Sequence, residues 1–170
     1  MYVQALYEGL IWSALWIGYV YMIIKLFPWT MLHDYPEDIQ KASKIPKPTL
    51  KQQRSSYIWS SIGGLIILLS LIAFGLQAFK DEKVSLLTLF IYIFIIVMSW
   101  NVIDLIIMDW LIVCTITPDW IVIKGTKGCK GYKDYMFHFK GFLIGCIYTT
   151  ITALLFSGVD YIILKYLIWK

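Results

Sequence analysis

The chain contains only two histidines, His33 and His138, and each stands close to an aspartate–tyrosine pair. The first context is Leu32-His33-Asp34-Tyr35-Pro36; the second is Lys133-Asp134-Tyr135-Met136-Phe137-His138. A third polar group, Asn101, Asp104 and Asp109, interrupts an otherwise apolar run. Imidazole and carboxylate together suit zinc, iron or manganese, which makes His33, His138 and Asp104 candidate ligands for a divalent metal. No His-Glu-x-x-His pattern and no histidine–carboxylate repeat at i, i+4 preorganises them. On a regular α-helix Asn101 and Asp104 share a face, whereas Asp104 and Asp109, five residues apart, diverge by about 140°. The two carboxylates reach one small site only if the helix between them is distorted. The local alternative for each group is a helix cap or an anchor at the headgroup level. Asp34, for example, is placed to cap a short helix beginning at Pro36-Glu37-Asp38, where proline and acids favour the first turn.

A second pattern is basic. From Lys124 to Lys133, lysines 124, 127, 130 and 133 alternate with Gly125, Gly128 and Gly131. Glycine at every third position lets the backbone turn its N–H groups outward, and such concavities bind anions. Lysines near an anionic leaflet add about 1 kcal/mol each. The pattern is not a P-loop, so nucleotide binding is unsupported. It reads as a contact for lipid phosphate or a phosphorylated ligand through Lys124, Lys127, Lys130 and Lys133, or as a plain basic loop on the membrane surface.

The elements that must position these groups are membrane spans. Of 170 residues, 59% are apolar, 17% aromatic and 15% charged, with a mean hydropathy of +0.70. Soluble domains run at about 45–50% apolar and about 25% charged, so an ordinary globule, a disordered tail and a disulfide scaffold are excluded. Nucleic-acid binding would need a basic patch on a folded soluble domain, and none is present. Cys114, Cys129 and Cys146 are spaced for neither a redox pair nor a zinc knuckle.

Crossing about 30 Å of hydrocarbon takes about 20 apolar residues. Four stretches qualify, about 5–27, 57–79, 84–117 and 141–168, joined by loops 28–56 and 118–140. The first lacks the basic flank and cleavage site of a signal peptide and is expected to be retained. In the second, Ser60, Ser61, Gly63 and Gly64 form a small-residue patch for close helix approach. The third is overlong: its 34 residues would make a helix of roughly 51 Å, so it must tilt, break or project before Pro118 closes it. Loops 28–56 and 118–140 each carry five Lys or Arg, against four residues (Lys80, Lys83, Lys165 and Lys170) on the other side. The positive-inside rule puts both loops in the cytoplasm and both termini outside. The expected architecture is an all-α four-helix bundle, one transmembrane domain over 1–170 made of two helical hairpins. The shared aspartate–tyrosine–histidine context of the loops is too short to argue internal duplication.

A weaker polar group, Glu8, Gln77, Asp160 and Lys165, gathers at the outer side, where Glu8 or Asp160 is expected to pair with Lys165. The middles of the spans hold almost no ionisable residue, which argues against a continuous proton relay. Most Trp and Tyr residues fit interfacial belts. Trp12 and Trp16 share a face and line either a pocket or, by preference, lipid.

The strings Leu32-His33-Asp34-Tyr35-Pro36-Glu37-Asp38-Ile39, Asn101-x-x-Asp104-Leu105-x-x-x-Asp109-Trp110 and Gly131-Tyr-x-Asp-Tyr-x-Phe-His-Phe-x-Gly141 resemble segments of small, uncharacterised bacterial four-span membrane proteins. The resemblance implies a multi-pass protein of a bacterial inner or plasma membrane. It brings no activity with it. It nominates the same polar residues as a set: Asn101, Asp104, Asp109, His33, Asp34, Asp134, Tyr135 and His138. The leading expectation is a polar pocket at the cytoplasmic interface, binding an amphiphile or lipid headgroup, with or without a metal and with or without catalysis. The alternatives are a small oligomeric transporter or channel subunit, and an assembly partner of a larger membrane complex.

Overall fold

The computed structural model describes all residues 1–170 and is entirely helical, without strands. Helix α1 spans Tyr2–Leu26, a short α2 spans Glu37–Ala42, and α3 spans Leu50–Phe79. Helix α4 runs as α-helix over Leu86–Ile103 and continues as π-helix over Asp104–Ile116. Helix α5 spans Tyr135–Ile163 and ends in a π-helical turn, Leu164–Ile168. The four long helices are long and apolar enough to cross a membrane, and the molecule is a multi-pass integral membrane protein.

Two helices begin earlier than their apolar cores. Helix α3 starts at Leu50 rather than near Tyr57, because Thr49 caps it: Thr49 Oγ1 accepts from Gln52 N, and the Gln52 side chain accepts from Thr49 N. Helix α5 starts at Tyr135 rather than Gly141, with Asp134 Oδ1 accepting from Phe137 N at 2.9 Å. The polar turns therefore continue the helices past the hydrocarbon, and the connecting loops shrink. At the other boundary, Thr117 takes a left-handed φ of 48° and Pro118 follows, which ends α4 as the sequence leads one to expect.

Helix α4 is the centre of the bundle. Leu89, Tyr92, Ile93, Ile96 and Val97 on it are all fully buried. The second hairpin packs as a hairpin, α5 antiparallel to α4, whereas α1 of the first hairpin packs mainly across on α4, parallel to it, and only lightly on α3. Gly9 lets α1 approach the Ile96–Ser99 stretch of α4. Helix α3 is peripheral. Near the loops it meets α1, where Gly63 makes room for the Tyr19 ring and Tyr19 Oη donates to the Ser60 carbonyl at 2.5 Å. At the opposite end α3 meets α5, with Trp169 Nε1 donating to the Phe79 carbonyl at 2.8 Å.

The aromatic residues depart from a simple belt. Trp12 is only 3% exposed, and its Nε1 donates to the Ile67 carbonyl at 3.1 Å. Trp16 stacks on Trp100, with centroids 6.0 Å apart. Both are interior cross-links of α1 with its neighbours rather than lipid contacts. An indole N–H needs a partner where no water is available, and Trp12 finds it inside.

The two connecting loops fold on each other. Tyr35, Ile39, Val113, Ile121 and Tyr132 form a second small core. Asp38 Oδ2 accepts from Gly131 N at 2.8 Å, and Lys44 N donates to the Lys124 carbonyl, also at 2.8 Å. Residues 121 and 122 form a turn and a bend, and Tyr132 Oη accepts the Ile123 N–H at 2.8 Å.

Candidate functional site

The π-helical half of α4 decides where its carboxylates point. In an i→i+5 ladder a turn holds more residues than in an α-helix, and a residue five positions on lies almost above the first. Asp104 opens this segment and Asp109 falls one wide turn later. The angle that keeps them apart on an α-helix largely closes, and both line one cleft of about 620 Å³. The same ladder shows at its end, where Thr115 Oγ1 donates to the Trp110 carbonyl at 2.6 Å and Thr117 N to the Ile112 carbonyl at 2.8 Å.

The cleft lies between α1, α4 and α5, with residues of the turn Leu32–Asp34 on its loop-side rim. Asn101, Asp104, Asp109, His138, His33 and Asp34 all line it. Its deeper part is apolar, with Val20 and Ile24 from α1, Trp100 from α4, and Ile144 and Tyr148 from α5. Helices α1 and α5 barely touch each other, while Ile144 and Tyr148 are exposed. The cleft thus opens sideways at the level of the spans as well as toward the loops.

Within the cleft the polar groups divide by partner. His138 Nδ1 stands 3.0 Å from Asp109 Oδ1, with the side chains only 7% and 24% exposed. His138 Nε2 is buried without a partner, an arrangement that costs roughly 1–3 kcal/mol when nothing fills it. His33 Nε2 meets Asp34 Oδ1 at 3.2 Å near the surface. Asn101 is a clamp between helices: its Nδ2 donates to the Phe142 carbonyl at 3.2 Å and lies 3.4 Å from Cys146 Sγ, with Gly145 leaving room for it. Asp104 is half-buried and belongs to none of the ion pairs of the chain. Protein crowding around Asp34 raises its carboxyl above the ordinary range despite its contact with solvent; Asp109 adds to the rise and His33 opposes it. Burial likewise raises the Tyr35 phenol, and Tyr132, Asp109 and Asp34 push it further.

Several candidate residues take other places. Asp34 caps nothing, and α2 begins after Pro36 without a side-chain cap. Asp134 caps α5 and lies outside the cleft. Tyr135 also lies outside, bonding Thr115 through its hydroxyl at 3.0 Å and accepting from Trp110 Nε1 at 3.3 Å. Lys133 turns inward: its Nζ donates to the Cys114 carbonyl at 2.7 Å, the Thr115 carbonyl at 3.1 Å and Thr117 Oγ1 at 2.7 Å. A cation at the end of α4 satisfies carbonyls that the helix leaves open, so Lys133 is not available for lipid phosphate. Lys124, Lys127 and Lys130 are all exposed, Lys127 in a surface pair with Asp119 at 3.6 Å. No three His, Cys, Asp or Glu side chains converge as a metal site requires; His33, His138 and Asp104 are not a ligand set.

The opposite end of the bundle has its own acids. Glu8 accepts from Tyr92 Oη at 2.5 Å and from Gln4 Nε2 at 3.0 Å. Asp160 is fully buried against Gly75, and neither of its oxygens has a partner. The expected pairing with Lys165 does not form, because the Lys165 ammonium lies over the rings of Tyr161 and Tyr166 at 5.6 and 5.4 Å. Gln77 is exposed and joins nothing.

The residues missed from sequence are Asp38, which ties the loops together, Tyr92, which holds Glu8, and Trp16 with Trp100 behind the cleft. Only Gly131, opposite Asp38, carries a signal, and it is weak. No family model, no curated protein and no solved structure matches the chain.

Proposed function

We propose that this membrane protein takes an amphiphile from the leaflet on its loop side into the cleft between α1 and α5. One observation carries the reading: Asp104, a carboxyl that belongs to no ion pair, lines a cleft with apolar deeper walls, between helices α1 and α5 that barely touch. A cleft of about 620 Å³ falls in the ordinary range for ligand sites, about 300–1,000 Å³. The lysine count supports cytoplasmic loops, and with the bacterial plasma membrane that the sequence resemblance implies, the ligand would come from its inner leaflet. Lys124 and Lys130 supply the surface contact with anionic lipid. The test is native mass spectrometry of the protein taken gently from its membrane. A retained small molecule, lost in folded His138→Ala, is expected. A bare polypeptide mass, persisting after lipid is supplied, would contradict it.

The transporter reading has one observation of its own, the partnerless Asp160 carboxyl in the span. Flux in proteoliposomes that falls with Asp160→Asn would favour it over the binding role.

A further inference from the structure

We infer that Lys133, acting with Thr117, is the positioning residue of the cleft: it stops α4 in its wide register and so sets Asp109 against His138. The inference rests on the binding function proposed above for what the cleft is for, and names the groups that hold it in shape. The end of α4 comes first. An α-helical ladder would bring Thr117 N to the Val113 carbonyl. Here the Thr117 hydroxyl takes that carbonyl at 2.7 Å, and Thr117 N reaches one residue further back, to the Ile112 carbonyl, at 2.8 Å. A side-chain donor thus fills the α-type acceptor, and the backbone keeps the wider spacing.

The ammonium of Lys133 locks that exchange. It has three N–H donors and accepts nothing, and each donor finds an acceptor: the Cys114 and Thr115 carbonyls at 2.7 and 3.1 Å, and Thr117 Oγ1 at 2.7 Å. Because Thr117 Oγ1 accepts from Lys133, its own proton is left for Val113. The two carbonyls are ones that a helix end leaves open, where a cation is favoured. Thr117 itself stands at a φ of 48°, a left-handed backbone that β-branched residues rarely adopt, so the stop is held against local strain.

The register of α4 against α5 carries the stop into the cleft. Lys133 directly precedes Asp134, which caps α5. Three contacts join the two sides: Asn101 with Cys146, Asp109 with His138, and Cys114 with Lys133. From each to the next, α4 advances by as many residues as the chain on the α5 side runs back, eight and then five. The Asp109–His138 pair therefore lies between two clamps, Asn101 deeper in the span and Lys133 at the loops. Relaxed to α-helix, Asp104 and Asp109 would diverge by about 140°, and the two could not face one cleft.

The test uses the full-length protein in mild detergent, labelled with ¹⁵N-histidine. Lys133→Met and Thr117→Val are each expected to abolish the hydrogen-bond signature of His138 Nδ1 with Asp109 and to leave His33 unchanged. Lys133→Arg and Thr117→Ser, which keep the donors, should retain it, as should Lys130→Met, which removes only an exposed charge. An unmoved His138 signal in folded Lys133→Met and Thr117→Val would overturn the inference. The wild type supplies a check that needs no variant. Acetylation by acetic anhydride, mapped by peptide mass spectrometry, should modify Lys133 about tenfold more slowly than Lys124 or Lys130, the equivalent of one charged hydrogen bond. Equal rates would likewise overturn it. Dodecanol, a neutral amphiphile probe read by native mass spectrometry, separates the two proposals. Adducts with the wild type that fade in Lys133→Met support both. No adduct with the wild type, while His138 responds as expected, overturns the amphiphile function and supports the positioning role alone.

Discussion

The two ends of the bundle both carry acids within the spans, and they handle them in opposite ways. At the terminal end Glu8 is fully engaged by Tyr92 and Gln4, and Asp160 is sealed between α5 and Gly75. At the loop end the helix itself is widened, Asp104 and Asp109 share a cleft, and one of them is left without a partner. A charge in a span is expensive wherever it stands. Sealing an acid serves packing, whereas bending a helix to expose one leaves capacity for a ligand. That contrast is why the loop end is assigned the function.

The largest effect is expected where the terminal end is tightest. A side chain at position 75 would place its Cβ 2.7 Å from the Asp160 carboxyl carbon, so Gly75→Val should cost about 1–3 kcal/mol through overpacking, more if α3 must move away. Thermal unfolding in detergent measures this, and ligand retention by the surviving folded fraction should be unchanged. Loss of ligand in folded Gly75→Val would erase the distinction between the ends.

A smaller effect is expected from pH at the loop end. Because Asp34 has a raised carboxyl pKa in the folded chain, the folded state holds that proton more firmly than the unfolded state does. Asp34 therefore costs nothing at low pH, where it is neutral in both states. Its penalty grows as pH rises from the ordinary carboxylate range through the raised value, and then stays constant. Asp34→Asn should melt close to the wild type at low pH and above it as pH rises. Asp34→Asn melting below the wild type at neutral pH, with the gap closing toward low pH, would reverse the sign and place Asp34 in a favourable ion pair with His33.

How much of this was legible in the sequence depends on the physics of each element. The spans were, because hydrocarbon thickness sets their length, and the overlong third stretch required a tilt, a break or a projection, where the structure changes to π-helix from Asp104. The inward faces were not legible: lipid is as apolar as the protein interior, so polarity could not show that Trp12 and Trp16 turn inward. The widening of α4 has no compositional mark either. Asp104 and Asp109 looked incompatible with one site on α-helical geometry, and an i→i+5 ladder made them neighbours. Lys133 looked like one of four equivalent lysines until the end of α4 supplied carbonyls for it, and Asp38 gave no sign that it would reach Gly131 across the loops.

The pairing of Asp109 with His138 is the point at which the widened helix and the cleft meet, and it can be measured directly. With only two histidines in the chain, ¹⁵N-histidine labelling gives two resolvable imidazoles, and His33→Gln assigns them. His138 is expected to carry a proton on Nδ1, hydrogen-bonded to Asp109, and Asp109→Asn should abolish that signature. A His138 Nδ1 signal indifferent to Asp109 would contradict the account.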